Sequence, residues 1–305
     1  MTDQNSLIYR NLTIENFKGF QRLEITDFRR VNLFVGKNNS GKSSVLESLL
    51  LVSQNGETIE DSLKTLTESF NGQVPEKPLF KQFDLGNAIR IRAETWGKGP
   101  RETSISLSKK KLHSESNSKE MVRSVFIHSK DMPVVEDIEQ LMIEKKDPAL
   151  ISSLKQIDPN IQTIQMVGSG GIYLDLGLNE LAPIGILGDG INRMVLFLSA
   201  VINARNGVLL IDEIENGLHY SAMSVMWKAL IASAEENNVQ IFATTHSYEC
   251  VKALSEAKPE RIIPLFGVTG SIRVFRIDRD NYEHLSTRYD ADDIKTAVED
   301  WYEIR

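Results

Sequence analysis

Between an apolar run, Val31 to Val35, and a leucine-rich run, Ser43 to Val52, the chain reads Gly36-Lys37-Asn38-Asn39-Ser40-Gly41-Lys42-Ser43. The first run has the length and composition of a strand and the second has helical spacing, so the octapeptide joins a strand to a helix. Glycines at 36 and 41 let the backbone curl until successive N–H groups point inward as an anion nest. That nest lies at a helix N-terminus, whose partial positive charge adds to the attraction for phosphate. In such a loop Lys42 reaches the β- and γ-phosphates and the Ser43 hydroxyl ligates Mg²⁺. The candidate nucleotide-contacting residues are therefore Gly36, Lys37, Asn38, Asn39, Ser40, Gly41, Lys42, Ser43 and Ser44. A plain Gly/Asn/Ser turn ahead of a helix is the bland alternative, and it leaves the match at eight positions unexplained.

Two later strand ends complete a metal and water site. Val208 to Ile211 is apolar at every position, as expected of a strand covered on both faces of a parallel sheet. Asp212 follows it at the end where open α/β sheets bind ligands, and a carboxylate there can hold Mg²⁺ directly or through water. Glu213, one residue on, can polarise an attacking water. A second apolar run, Val239 to Ala243, leads into Thr244-Thr245-His246-Ser247. A lone histidine at a strand end is usually a hydrogen-bonded structural residue. One strand after Asp212–Glu213, His246 reads as a γ-phosphate sensor.

A fourth stretch, Leu187-Gly188-Asp189-Gly190-Ile191-Asn192-Arg193, precedes the acidic pair. In this order and spacing, the set resembles the ABC-type ATPase heads of the RecF, SMC and OLD (overcoming lysogenization defect) group. Leu12-Thr13-Ile14-Glu15-Asn16-Phe17-Lys18-Gly19-Phe20 is similar to that group's first strand and turn, and Ile211 to His219 to its Walker B segment and D-loop. The likeness runs from about residue 8 to the C-terminus and is densest over residues 181–250, close to stand-alone members known only as AAA-type ATP-binding proteins.

The resemblance implies specific roles. Lys18 lies near the phosphates and Asn38 faces the γ-phosphate. Glu213 is the general base and His246 the switch histidine, with Lys42 the third catalytic group. Ser43 and Asp212 hold the metal. Gly188, Asp189, Gly190, Asn192 and Arg193 form a signature loop that binds ATP held by an opposite subunit. Such signatures usually begin Leu-Ser-Gly-Gly; here a serine hydroxyl is missing and an acid stands near a polyanion. Two readings of Asp189 stay open: a signature loop acting through backbone N–H groups ahead of a helix starting near Asn192, or a cap for that helix. For the Q-loop, Gln54 and Gln82 are the candidates.

Composition narrows the setting. The 305 residues suffice for one large domain, and no run approaches the ~20 apolar residues of a membrane span. The start, with Asp3, Gln4 and Asn5, lacks a signal-peptide pattern. A single cysteine, Cys250, excludes disulfide stapling, reads as a buried inert thiol, and points to a cytoplasmic location. The net charge of −7 argues against an all-over basic, DNA-binding surface. Arg90, Arg92, Lys98, Arg101, Lys109, Lys110, Lys111, Lys119 and Arg123 nevertheless make one stretch basic. Ala88 to Thr95 and Thr103 to Leu107 alternate as antiparallel strands, with Ser108 to Ser118 as their hairpin loop. Lys109–Lys111 is then either a solvated loop tip or a contact to a nucleic-acid backbone.

Asp131 to Met166 has helical spacing punctuated by Pro133, Pro148 and Pro159, and is too short for a long coiled coil. Ser271 to Ile277 reads as a hairpin strand with Asp278 to Asn281 as its turn, which counts against Asp278-x-Asp280 as a Toprim nuclease site. The stretch after His246 is also too short for such a nuclease domain, and Ala291 to Tyr302 reads as a closing helix.

The expected fold class is α/β, a P-loop NTPase of ABC-ATPase type with a mainly antiparallel β lobe and a small helical insertion. It forms one domain, 1–305, with sub-parts 8–125 (P-loop and β lobe), 126–168 (helical insertion) and 169–305 (signature, Walker B, switch histidine and closing elements). The expected cofactors are ATP and Mg²⁺. The expected partners are a second copy or a higher homo-oligomer, a separate effector such as a nuclease, and DNA as an open case, with no membrane. The expected function is Mg-dependent ATP hydrolysis by a dimeric head that serves as motor, sensor or scaffold in anti-phage or DNA-related defence. A non-hydrolysing ATP-gated scaffold and a RecF-like DNA-repair ATPase are the rival readings.

Overall fold

The computed structural model describes residues 7–68, 79–108, 111–155, 158–168, 171–257, 272–280, 283–290, 293, 294 and 296. A hairpin of β1 (Tyr9–Glu15) and β2 (Arg22–Ile25) precedes β3 (Val31–Val35), α1 (Lys42–Ser53) and α2 (Ile59–Glu68). Next come β4 (Ile89–Thr95), β5 (Arg101–Ser108), β6 (Lys111–Ser116) and β7 (Ser124–Ile127), then α3 (Val135–Ile143) and α4 (Asp147–Lys155). A small sheet of β8 (Thr163–Val167), β9 (Gly171–Asp175) and β10 (Ala182–Pro183) leads into α5 (Asp189–Asn203). β11 (Val208–Ile211), α6 (Tyr220–Glu236), β12 (Gln240–Thr244) and α7 (Tyr248–Glu256) follow, then the hairpin β13 (Ile272–Asp280) and β14 (Glu283–Tyr289).

The runs that are apolar throughout become the middle of a six-stranded sheet, ordered β14-β13-β3-β12-β11-β7. Its first five strands from β7 to β13 are mutually parallel, and β14 alone turns back. Because successive side chains point to opposite faces, each strand feeds two cores. Leu33, Leu209, Ile211, Ile241 and Val274 face one core, filled by α5, α6 and α7. Phe34, Leu210, Phe242 and Phe275 face the other, shared with α1, β1 and β4. There Phe28 stands edge-on to Phe242 and Phe275, at ring separations of 5.0 and 5.5 Å. Each such fully buried side chain contributes roughly 1.5–3 kcal/mol relative to exposure.

The antiparallel lobe is a five-stranded sheet, β2-β1-β4-β5-β6, laid over α1. Polar staples fix it to the core. The buried Gln240 amide accepts from the Tyr9 amide at 2.9 Å and donates to the carbonyls of Tyr9 and Arg29. Arg101 donates to the carbonyls of Val52, Ser53 and Gln54, the open C-terminal end of α1, where a cation also complements the helix dipole.

The strands expected at 88–95 and 103–107 form β4 and β5, but the expected hairpin loop does not hold. Residues 111–116 pair with β5 as a sixth alternating segment, because Leu112 finds Leu107 across the ladder. Lys109 and Lys110 lie outside the described residues. The basic stretch is also split up: Arg101 is the buried helix cap, Arg92 meets Glu102 at 2.7 Å and Lys98 meets Glu120 at 3.4 Å. β13 runs on through Asp280, with Asp278 held by Arg276, so the expected turn starts later and its residues 281 and 282 lie outside the description. Most of the expected closing helix, 291–302, lies outside it too; Ile294 within it is buried. Cys250 is fully buried, and burial pushes its thiol up to about 12. Among the described residues no helix is long and apolar enough to cross a membrane.

Candidate functional site

Parallel register assembles the site. Ile127 pairs with Ile211, Ile211 with Ala243, and Thr244 with Phe34. One residue beyond, His128, Asp212 and Thr244 therefore stand abreast at the carboxyl edge of the sheet, next to the loop leaving β3. That edge is where open α/β sheets hold ligands.

The loop itself needs its glycines. Gly36 has φ 141° and Gly41 φ 98°, both in the left-handed half of backbone space. A Cβ at Gly36 would run into the Ile277 carbonyl of β13, and one at Gly41 into the Phe20 ring. The loop is thus clamped between the C-terminal hairpin and the turn after β1. Lys37, Asn38 and Asn39 are exposed at its tip, and Ser44 is half-buried. The Ser40 hydroxyl is buried with no partner, and Lys42, 4% exposed, donates only to the carbonyls of Gly36 (2.9 Å) and Lys37 (3.0 Å). Burial lowers the Lys42 pKa, and Asp212, Glu215 and Glu213 oppose that shift. An orphan hydroxyl, a cation turned onto neutral carbonyls and a cradle too tight for side chains fit a bound polyphosphate.

Across from the loop, the Ser43 hydroxyl donates to Asp212 Oδ1 at 3.0 Å. The two oxygens expected to share Mg²⁺ are already in contact, although 169 positions apart, and this hard-oxygen pair suits that ion. The Thr244 hydroxyl donates to the same Asp212 oxygen at 2.6 Å and accepts the Glu213 amide at 2.8 Å. Glu213 itself is held at φ 50°, a costly conformation for a residue with a side chain. The His246 amide donates to Glu215 Oε1 at 2.7 Å, tying the turn after β12 to the loop after β11.

A family profile described as "AAA ATPase domain" matches residues 9–131 and 57–251, most of the chain. The chain belongs to the AAA ATPase domain family. A Helicobacter pylori protein named "ATP/GTP phosphatase" is 22% identical over 329 residues, covering 83% of this chain and 89% of that one. An uncharacterised Methanocaldococcus jannaschii protein is 32% identical over 95 residues, 31% of this chain and 79% of that one. Among solved structures, an SMC head bound to the C-terminal winged-helix domain of ScpA superposes at TM-score 0.63 with 10% identity, covering 93% and 98% of the two chains. The Thermotoga maritima SMC head does so at 0.54 with 13% identity, over 92% and 99%. The fold of this AAA ATPase domain is thus that of an ABC-type head, a P-loop NTPase that binds ATP.

Other expected residues fall in less simple places. Lys18, at φ 48°, meets Glu47 of α1 at 2.5 Å, one helical turn beyond Ser43, rather than standing free beside the loop. Burial raises the Glu47 carboxyl, opposed chiefly by Lys18. In the signature stretch, α5 starts at Asp189 and not near Asn192. Gly188 is the N-cap, at φ 85°, and Asp189 makes no capping bond, so the capping reading of Asp189 fails. Gly188 and Asp189 are exposed and Gly190 is half-buried, whereas Asn192 and Arg193 are buried. Asn192 bonds back to the Gly188 carbonyl and Arg193 to the Asp131 carbonyl at 3.0 Å.

Neither glutamine stands at the strand edge. Gln54 ends α1, ~18 Å along the helix from the loop, and bonds to Leu50 and Ser124; Gln82 is exposed at φ 52°. His128 occupies the place level with Asp212, its ring tilted by 36° against that of Phe126 at 4.5 Å. Sequence reasoning missed His128, Thr244, Glu47 and Glu215 as members of the site. The polar residue ending a short apolar run, Val125 to Ile127, was the available signal for His128.

Proposed function

We propose that this AAA ATPase domain is a Mg-dependent ATP phosphohydrolase whose site is completed by a second subunit. The 3.0 Å contact between the Ser43 hydroxyl and Asp212, beside a glycine-clamped loop, carries the reading. When bound, the metal would neutralise charge between the β- and γ-phosphates, with Ser43 and Asp212 as its protein ligands. Lys42 turns from the loop carbonyls to the phosphates. Glu213, fixed through its own amide to Thr244, accepts a proton from the attacking water, and His246 senses the γ-phosphate. Most of the catalytic effect comes from positioning and charge neutralisation.

Exposed Gly188 and Asp189 at the start of a 15-residue helix support a role in trans, since a helix N-terminus offers free N–H groups to the phosphate of an opposing copy. In this reading the protein is a dimeric head that passes its nucleotide state to a separate effector in DNA-related or anti-phage defence; one similar solved structure, an SMC head, is bound to a domain of ScpA. Of the basic stretch, Arg92 and Lys98 are held in ion pairs and Arg101 caps α1, and Lys109 and Lys110 lie outside the described residues, so no described contact favours DNA binding.

The carboxylate of Asp189, placed where a polyanion would approach, favours a second reading: an ATP-gated scaffold that assembles without turnover. Phosphate release by the purified protein with Mg·ATP separates the two. Turnover that is lost in Glu213→Gln while ATP stays bound, and lost with ATP binding in Lys42→Ala, is the outcome expected of the enzyme. ATP-dependent dimerisation with no phosphate release would establish the scaffold instead.

A further inference from the structure

Between the start of α5 and the loop bearing Glu213 lie two side chains, Arg193 and Glu215, to which the proposed hydrolysis gives no task. Arg193 is 4% exposed, with its guanidinium over the Phe197 ring at 4.6 Å and Nη1 donating to the Asp131 carbonyl. Its Nε and Nη2 are buried and have no partner. Glu215 accepts the His246 amide with Oε1, while its Oε2 is likewise buried and unpartnered. A buried donor or acceptor left unmade costs about 1–3 kcal/mol, so three together mark an arrangement held open against its own stability.

The loop bearing Glu215 packs against Arg193. A Cβ on Gly217, two positions after Glu215, would lie 3.3 Å from Arg193 Cγ and 3.7 Å from Asp189 Cβ. The charge of Glu215 also supports the protonated form of Arg193, after that of Asp131 and against the burial that lowers its pKa. The turn after β7 completes the frame. Asn216 donates to the Ser129 carbonyl at 2.9 Å, and Asp131 accepts the His128 amide at 2.8 Å.

We infer that Arg193 and Glu215 form a relay within one subunit, in which a small shift of α5 closes the guanidinium onto Glu215 Oε2 and so sets the position of His246. Resting on the ATPase reading, this makes Arg193 and Glu215 positioning residues for hydrolysis. Whatever engages the exposed Gly188 and Asp189 is thereby read at the γ-phosphate side of the same subunit. The relay satisfies the orphan atoms only in the closed arrangement, which gives it two discrete states.

The test uses the full chain with two readouts. Hydrogen exchange over residues 244–250 is followed with and without a non-hydrolysable ATP analogue, and kcat and KM are measured for Arg193→Met, Arg193→Lys, Glu215→Gln and the double variant Arg193→Met/Glu215→Gln. Glu215→Gln keeps an acceptor for the His246 amide and removes only the charge facing Arg193, so it carries the test if Arg193→Met fails to fold. The relay predicts nucleotide-induced protection over 244–250 in the wild type that is lost in Arg193→Met and Glu215→Gln. It also predicts a roughly tenfold fall in kcat with KM little changed, partial recovery in Arg193→Lys, and a double variant no worse than either single one. Protection that persists in Arg193→Met and Glu215→Gln, or losses that add in the double variant, would overturn it. If the wild type binds ATP without hydrolysing it, the ATPase reading falls, and the exchange pattern by itself decides the relay.

Discussion

The Thr244 hydroxyl lies 2.6 Å from Asp212 Oδ1 and at the same time accepts the amide of Glu213. One side chain thus orients both the carboxylate proposed to hold the metal and the backbone that carries the proposed general base. Thr244 is 1% exposed, so no water stands ready to take its place.

Thr244→Val, nearly equal in volume, should lower kcat roughly 10- to 100-fold with ATP affinity little changed, because it removes alignment and leaves the phosphate cradle intact. Thr244→Ser should keep most of the activity. Steady-state phosphate release beside equilibrium ATP binding measures both quantities. A Thr244→Val protein as active as the wild type would show that Asp212 needs no such support.

Asp212→Asn should raise the Mg²⁺ concentration needed for half-maximal turnover by roughly 10- to 100-fold, since a neutral amide is a poorer ligand for a hard cation. Chelating the metal from the wild type should stop turnover, and added Mg²⁺ should restore it. A Mg²⁺ titration of the ATPase rate reads both effects.

Gly41→Ala should destabilise the protein by roughly 1–3 kcal/mol, for two reasons: a φ of 98° and a collision with the Phe20 ring. Phe20→Leu in the Gly41→Ala background should recover the steric part and leave the backbone part. Thermal unfolding of the two single variants and the double separates the contributions.

His284 of β14 packs edge-on against Phe20 at 4.6 Å, and burial, with Lys81 and Arg279 adding to it, lowers its pKa from 6.5 to about 4. The folded state holds the ring neutral, whereas the unfolded chain takes up a proton below pH 6.5. The stability this group contributes is therefore complete above pH 6.5 and is lost as the pH falls toward 4. His284→Gln should flatten that part of the curve of unfolding free energy against pH. Equal slopes for the two proteins between pH 6.5 and 4 would remove His284 as the cause.

Much of this site could be read from the chain because each part is local. A glycine pair between a strand and a helix, acids at the end of an apolar run, and a histidine after the next such run depend on contacts between near neighbours. The central strands were legible for the same reason, since a strand covered on both faces must be apolar at every position. Residues 111–116 read as loop in the sequence because they carry only one aliphatic side chain, Leu112, and a partner strand is needed to make that pattern meaningful. Lys18 shows the opposite limit. The resemblance implies a place near the phosphates, whereas its pairing with Glu47 depends on how the turn after β1 lies over α1.

The sequence by itself determined the chemical inventory of this AAA ATPase domain: a glycine-bearing loop between a strand and a helix, carboxylates at 212 and 213 and a histidine at 246, in that order on successive strand ends. Only the tertiary structure decided which groups meet. Parallel register sets His128, Asp212 and Thr244 abreast. The glycine-clamped loop brings Ser43 to Asp212, and the packing of α5 buries Arg193 against the loop bearing Glu215, with hydrogen bonds of both side chains unfilled. Those contacts join residues tens to hundreds of positions apart, and a one-residue slip in register would turn each side chain to the other face of the sheet.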